Sequence, residues 1–323
     1  VAKYAAQSAR GFRVTGYQLE VGPKATSYTK TIGAPVTRAA DTFSGTGLVY
    51  SNVPIPEPLY SSSATYAAGT VVRDAAGKLY QSLTAGNVGA ALTDTSTWLD
   101  LASVTNRLVM FDKAVNSQTT NPDRIAFVIV PGQFVSTITL LNVAGAQAVV
   151  EQPATGYRKT ASLVRHEVNN WYDFYFEEPV WQGDAFFEDI PPYSNGPIVV
   201  LVEAQGATAG LGCAFTGKSR TLGETQSELT AGVLSYSSTN TDTQGNVTMV
   251  RRPNARRINC EVDIPEGFED EAFRLLSQYT DVEIVIVAST KYTLTYSYGF
   301  LGQWEIPLSS SGRMASIEFR GLI

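Results

Sequence analysis

Apolar positions along this chain fall in short runs and two-residue alternations, the spacing of β-strands and not of long helices. In Val14-Thr-Gly-Tyr-Gln-Leu-Glu20, Tyr17 and Leu19 alternate and Gly22-Pro23 ends the run. Ile125-Ala-Phe-Val-Ile-Val130 is continuously apolar between Asp123 and Pro131-Gly132. Partly alternating or apolar strands are predicted at 135–141, 148–150, 171–176 and 198–202. Further strands are predicted at 247–251, 256–264, 282–288, 292–298 and 315–319. One stretch has helical spacing. Phe268, Ala272, Leu275/Leu276 and Tyr279 recur three to four residues apart, with Glu269, Asp270 and Glu271 in the first turn, where the helix dipole favours acids. The pattern predicts a mainly β protein: serial jelly-roll or sandwich-like units, a small module, and one short helix near the C-terminus.

Turn and proline signals divide the chain. Residues 1–50 read as the end of a preceding jelly-roll domain, because their strand is too short to bury a core. Three alternating prolines make 51–59 an extended linker. Residues 60–104 form a small module with a hairpin around Ala75-Ala76-Gly77, near the lower size limit for independent folding. A β-sandwich or jelly roll is expected over 105–208, ending near Gln205-Gly206, and a second β domain with the helix over 209–323.

Composition narrows the function. Charged residues make up 17% of the 323, against about 25% in typical soluble domains. The net charge of −6 argues against a non-specific nucleic-acid binder. No apolar run approaches the roughly 18 residues of a membrane span. A single histidine excludes a multi-histidine metal site, and two cysteines exclude a disulfide framework. No cofactor is implied. The chain opens on Val1 with no secretory leader pattern after it, and reads as a processed product or a piece of something longer.

Two aromatic groups are the candidate binding surfaces. Tyr60, Tyr66, Tyr80 and Trp98 crowd a module too small to bury them all. Flat rings of this kind stack on sugars, and the plainer alternative is that they form the module's core. Nine aromatics lie between His166 and Tyr193, among them Trp171 and Trp181, interleaved with Glu177, Glu178, Asp184, Glu188 and Asp189. Paired carboxylates amid rings describe a glycosidase. They equally describe an alternating strand, with Tyr172, Phe174 and Phe176 on one face, that ends in an acidic loop. Calcium-loop spacing is absent. His166 has no Gly-x-Ser-x-Gly partner and reads as a lone histidine. Cys213 and Cys260 read as two buried thiols. Arg251-Arg252 and Arg256-Arg257 flank a Pro-Asn turn and could meet an acidic partner or internal carboxylates. No catalytic set emerges, and the chain reads as a non-enzyme.

Three stretches carry resemblances. Gly16-Tyr-Gln-Leu-Glu-Val-Gly22, Ala25-Thr-Ser-Tyr28 and Val36-Thr-Arg-Ala-Ala-Asp41 look like the closing segment of the laminin-G-like jelly rolls common in bacteriophage tail fibre and tail tip proteins. Residues 59–101, through Tyr66, Ala68-Gly69, Val71-Val72, Gly77-Lys-Leu-Tyr-Gln-Ser82, Asn87 and Trp98, resemble small chitin-binding-type carbohydrate modules. Residues 106–323, with Met110-Phe-Asp112, Asp189-Ile-Pro-Pro-Tyr193, Thr243-Gln-Gly-Asn-Val-Thr248 and Ile317-Glu-Phe-Arg-Gly-Leu322, look like the C-terminal part of large phage tail proteins. The resemblance implies a virion tail protein, at the fibre or tip, assembled in the host cytoplasm. Its implied partners are a host cell-surface glycan or receptor and other tail proteins, its implied symmetry a homotrimer, with no nucleic acid and no membrane insertion. The rival readings are a purely structural tail hub and a secreted polysaccharide-degrading enzyme.

Overall fold

The computed structural model describes residues 47–165, 170–176, 180–193, 196–225, 229–241, 244, 247–308 and 314–322. The strand expected at 14–20, and most of the segment expected at 1–50, lie outside the described residues. The protein is mainly β and built from several antiparallel sheets.

β1 (Leu48–Ser51) opens the described chain. β2 (Val71–Arg73), β3 (Lys78–Ser82) and β4 (Trp98–Val104) follow and pair with one another as a three-stranded sheet. After the short helix α1 (Asn106–Val109), β5 (Thr119–Ile129) pairs antiparallel with β1, Leu48 opposite Ile129 and Ser51 opposite Phe127. The small module is therefore inserted between two neighbouring strands of one sheet.

The expected linker is tied in at both ends. Asn52 continues the β1 ladder with its side chain, accepting from the Ala126 amide at 2.8 Å and donating to the Arg124 carbonyl at 3.0 Å. Val53 is fully buried in the core of the large sheet, and its carbonyl accepts from Arg107 Nε at 2.7 Å. At the far end the Arg73 amide donates to the Pro58 carbonyl at 3.0 Å and the Tyr60 amide to the Arg73 carbonyl at 2.8 Å. Proline removes donors, but carbonyls and flanking residues still find partners.

The large sheet continues with β6 (Thr137–Ala144), β7 (Gln147–Gln152) and β8 (Tyr157–Ser162). A small excursion follows: β9 (Val164–Arg165), α2 (Trp171–Phe176) and β10 (Val180–Trp181). β11 (Asp184–Phe187) and the 20-residue β12 (Ile198–Gly217) complete this part. β12 lies along β5 on one side. On its other side it pairs first with β7, Val199 opposite Glu151, and then with β6, Gly217 opposite Thr137. The register shifts between Glu203 and Thr208, where Gln205 and Gly206 hold φ of 50° and 91°. This bulge occupies the place where the sequence predicts a domain end at 208. A bulge and a turn use the same residues, since both need positive φ. Inward residues of these strands, among them Phe127, Leu140, Val150, Phe187 and Val200, meet in one core.

The second sheet contains β13 (Glu224–Thr225), β14 (Thr230–Ser235), β17 (Asn254–Asp263), β18 (Ile284–Val287), β19 (Tyr296–Glu305) and β20 (Met314–Gly321). Between β14 and β17 the chain runs out and back as β15 (Ser238–Thr241) and β16 (Val247–Val250). β17, β20, β19 and β18 are consecutive neighbours in the sheet. The helix α3 (Glu269–Tyr279) forms where its spacing predicts, burying Ala272 and Leu276 with Glu269, Asp270 and Glu271 in its first turn. Phe268 sits at the N-cap and is exposed, so the apolar stripe begins one turn later than the sequence reading has it.

The two large sheets meet at a separate cluster of Leu141 and Cys213 with Tyr296 and Tyr298. Phe215 stacks on Tyr298 with centroids 4.4 Å apart and 25° between planes. Such a pair contributes about 0.5–1.5 kcal/mol beyond burial. Arg256 of β17 reaches across to Asp184 of β11 at 2.5 Å.

Candidate functional site

The four aromatics of the small module come together, but inward. Trp98 is 2% exposed and Tyr66 7%, and with Val72 they are the buried centre of the module. Tyr60 packs edge-on against Trp98 at 5.7 Å, and Tyr66 meets Trp98 at 5.3 Å. Tyr80 is half-buried against the same centre. The polar tips are satisfied inside. Tyr60 Oη and Trp98 Nε1 both donate to the Ala90 carbonyl, at 2.6 and 3.2 Å, and Tyr66 Oη accepts from the Ser61 amide at 2.7 Å. A ring whose face is buried cannot stack on a sugar, so Trp98 and Tyr66 do not present the expected face. With few aliphatic residues, the module uses its rings as its core.

The hairpin below this core also anchors the module. Asp74 Oδ1 accepts from the Lys78 amide at 2.8 Å and the Asp74 carbonyl from the Gly77 amide at 3.1 Å. Gly77 takes φ 86°, and a Cβ there would run into Leu108 of α1. Only glycine lets the turn lie this close to α1.

The excursion β9–α2–β10 differs from the expected strand. Trp171–Phe176 forms a helical turn, and Trp171 stacks on Tyr175 at 6.2 Å and 19°, a contact of residues four apart on a helix. Trp171 is 77% exposed, and Tyr175, Phe176 and Trp181 are also exposed. His166, Glu177 and Glu178 lie outside the described residues.

Asp184 is not part of this surface. It is 5% exposed, with Oδ1 accepting from the Asn142 amide at 3.0 Å and Oδ2 paired to Arg256. Asp189 pairs with Lys159 at 3.5 Å, and the Glu188 carbonyl accepts from Tyr157 Oη at 2.9 Å. The arginines divide by position: Arg256 and Arg257 pair with Asp184 and Glu318, whereas Arg251 and Arg252 are exposed.

A cavity of about 560 Å³ opens between the sheets, walled by residues such as Val262, Leu275, Tyr279, Ile284 and Ile317, with Cys260 at its lining. The carboxylate Glu283 at its rim is held by Lys113 Nζ at 2.6 Å and Tyr298 Oη at 2.7 Å. Both cysteines are free and buried. Burial, with the Asp112 charge second, pushes the Cys213 thiol up to about 12, and burial pushes Cys260 up to about 11. Neither thiol should react with a disulfide reagent at pH 8 until the protein unfolds; rapid labelling of the native chain would contradict this placement. Because both thiols ionise more readily in the unfolded chain, raising the pH above about 9 lowers stability.

Among the described residues, no group of three His, Cys, Asp or Glu side chains could hold a metal ion. Among the same residues, no helix is long and apolar enough to cross a membrane.

The sequence reading has strands at 247–251 and 256–264, where β16 and β17 form, and misses β14, β15 and the pairing that makes a ribbon of the four. Thr230 pairs with Asn259 and Ser235 with Asn254, then Ser238 with Val250 and Thr241 with Val247. The two halves are spliced by Ser237, whose Oγ accepts from the Arg252 amide at 3.1 Å. Its signal was the predicted strand at 247–251 preceded by Asp-Thr-Gln-Gly-Asn, a composition that marks turns in a sequence. Comparisons with protein-family models, with curated proteins and with solved structures found no match to this chain.

Proposed function

We propose that this chain is a structural, non-enzymatic component of a phage-tail-like particle, working through assembly contacts. The observation that carries the reading is the pair of segments, β9–α2–β10 and β14–β16, that hold large apolar side chains in solvent. Exposed apolar groups concentrated in one segment mark surfaces that meet other proteins. The serial β architecture and the tail-protein resemblance of residues 106–323 agree with it. Among the candidate carboxylates, Asp184 is committed to Arg256 and the Asn142 amide, which leaves it no role as a free acid or base.

The test is location. Antibody labelling of intact particles from the source of this sequence should decorate the tail. Absence of the chain from purified particles that are complete by other proteins would sink the reading.

A second reading, host-glycan attachment, draws on the stacked, exposed rings of Trp171 and Tyr175 and on the exposed Trp181 of β10. It moves the sugar contact from the small module to α2. On a glycan array, Trp171→Ala should abolish binding while Tyr80→Ala leaves it intact. Binding unaffected by Trp171→Ala removes this reading.

A further inference from the structure

We infer that the exposed ribbon of β14–β16, residues 230–254, is an arm that docks on the exposed face of α3 in a second copy of this chain. The inference rests on the assembly reading above and names the contact. Three observations carry it.

The first is exposure without cover. None of the described residues from 230 to 254 is buried, although Val233, Tyr236, Val247, Met249 and Val250 are among them. Among the described residues β15 and β16 pair only with each other, so the outer edges of the distal ribbon have no neighbouring strand there. A two-stranded ribbon is marginal alone, and open apolar edges invite a partner.

The second is size. The exposed stretch matches one side of a standard protein–protein interface, about 20–30 residues.

The third is charge, which selects the partner. Arg256 and Arg257 are held by Asp184 and Glu318, so the positive charge the ribbon offers a partner is Arg251 and Arg252, in a chain of net −6. Arg251 and Arg252 stand exposed beside Val250. The complementary surface is on the same chain. Phe273 is 58% exposed, set edge-on against Trp304 at 5.3 Å, and Phe268, five residues earlier at the N-cap, is also exposed. Around them, Asp270 and Glu271 stand exposed in the first turn of the helix. An apolar, basic arm and an apolar, acidic helix face on one molecule are complementary between copies, and like charge opposes arm-to-arm pairing. Arm-on-helix contact joins unlike surfaces. Such heterologous contacts close into a ring or continue as a filament.

The experiment uses the whole chain. Light scattering after size exclusion should find oligomers at tens of micromolar. Reversing the arm (Arg251→Glu with Arg252→Glu) or the helix (Asp270→Lys with Glu271→Lys) should weaken association by at least about tenfold. Mixing the two reversed chains should restore it, because their charges are again complementary. Met249→Cys and Phe273→Cys chains, mixed and oxidised, should give a disulfide-linked dimer. All these positions are exposed, so the variants fold. A monomeric wild-type chain, or oligomers indifferent to both reversals, would overturn the contact. Either result leaves the assembly reading to particle labelling, which tests it separately.

Discussion

Trp98→Ala should unfold the small module and leave the large sheet standing. Trp98 is the module's largest buried side chain and closes the contacts to Tyr60, Tyr66 and the Ala90 carbonyl. Removing a buried Trp costs about 3–5 kcal/mol. A module of this size has little more stability than that to lose. The module leaves and re-enters the large sheet between β1 and β5, and both entry points keep their own anchors in Asn52, Val53 and Arg107. Its collapse into a loop then costs the sheet only closure entropy, which grows slowly with loop length. Hydrogen exchange reads this directly. Amides of Lys78–Ser82 should lose protection, while those of Ile125–Ile129 keep it. If both sets are lost together, the insertion and the sheet are one cooperative unit and the argument fails.

Arg256→Ala should destabilise more than Asp184→Asn, although both break the same ion pair. The Asp184 side chain is 4% exposed and the Arg256 side chain 42%. Without Arg256, a carboxylate stays buried with only the Asn142 amide to hold it. Without the Asp184 charge, the arginine still donates to the Tyr296 carbonyl and reaches water. Removing one partner of a fully buried pair costs about 3–5 kcal/mol; with Arg256 half in solvent, about 2–3 kcal/mol is expected. The pair bridges the two large sheets, so the loss should also loosen the Phe215–Tyr298 stack. Denaturant melts of both single variants and the double variant measure it. Equal losses for the two singles would contradict the burial asymmetry.

Each of these results turns on a distinction between what is local and what is not. Strand character at 125–130 and 198–202, and the helix at α3, were legible because side-chain periodicity belongs to a few consecutive residues. At 171–176 that signal is absent. Five of the six residues are aromatic, so alternation and helical spacing look alike, and the structure forms a helical turn in which Trp171 stacks on Tyr175.

The amino-acid sequence by itself determined the mainly β class, the self-contained hairpin at Gly77, the α3 stripe and the clustering of four aromatics in one small module. Only the tertiary structure decided which way those rings face. Burial depends on what else fills the module, and with Val72 as its one fully buried aliphatic side chain, Trp98 and Tyr66 had to supply the core. It also decided that the module is an insertion, because the β1–β5 pairing joins Ser51 to Phe127 across the whole module and leaves no mark in either local pattern. The same holds for Asp184. Its sequence neighbours are aromatic and acidic, which reads as a surface, yet its partner Arg256 comes from another sheet. A carboxylate's role is set by the charge that reaches it, and that charge is placed by the fold.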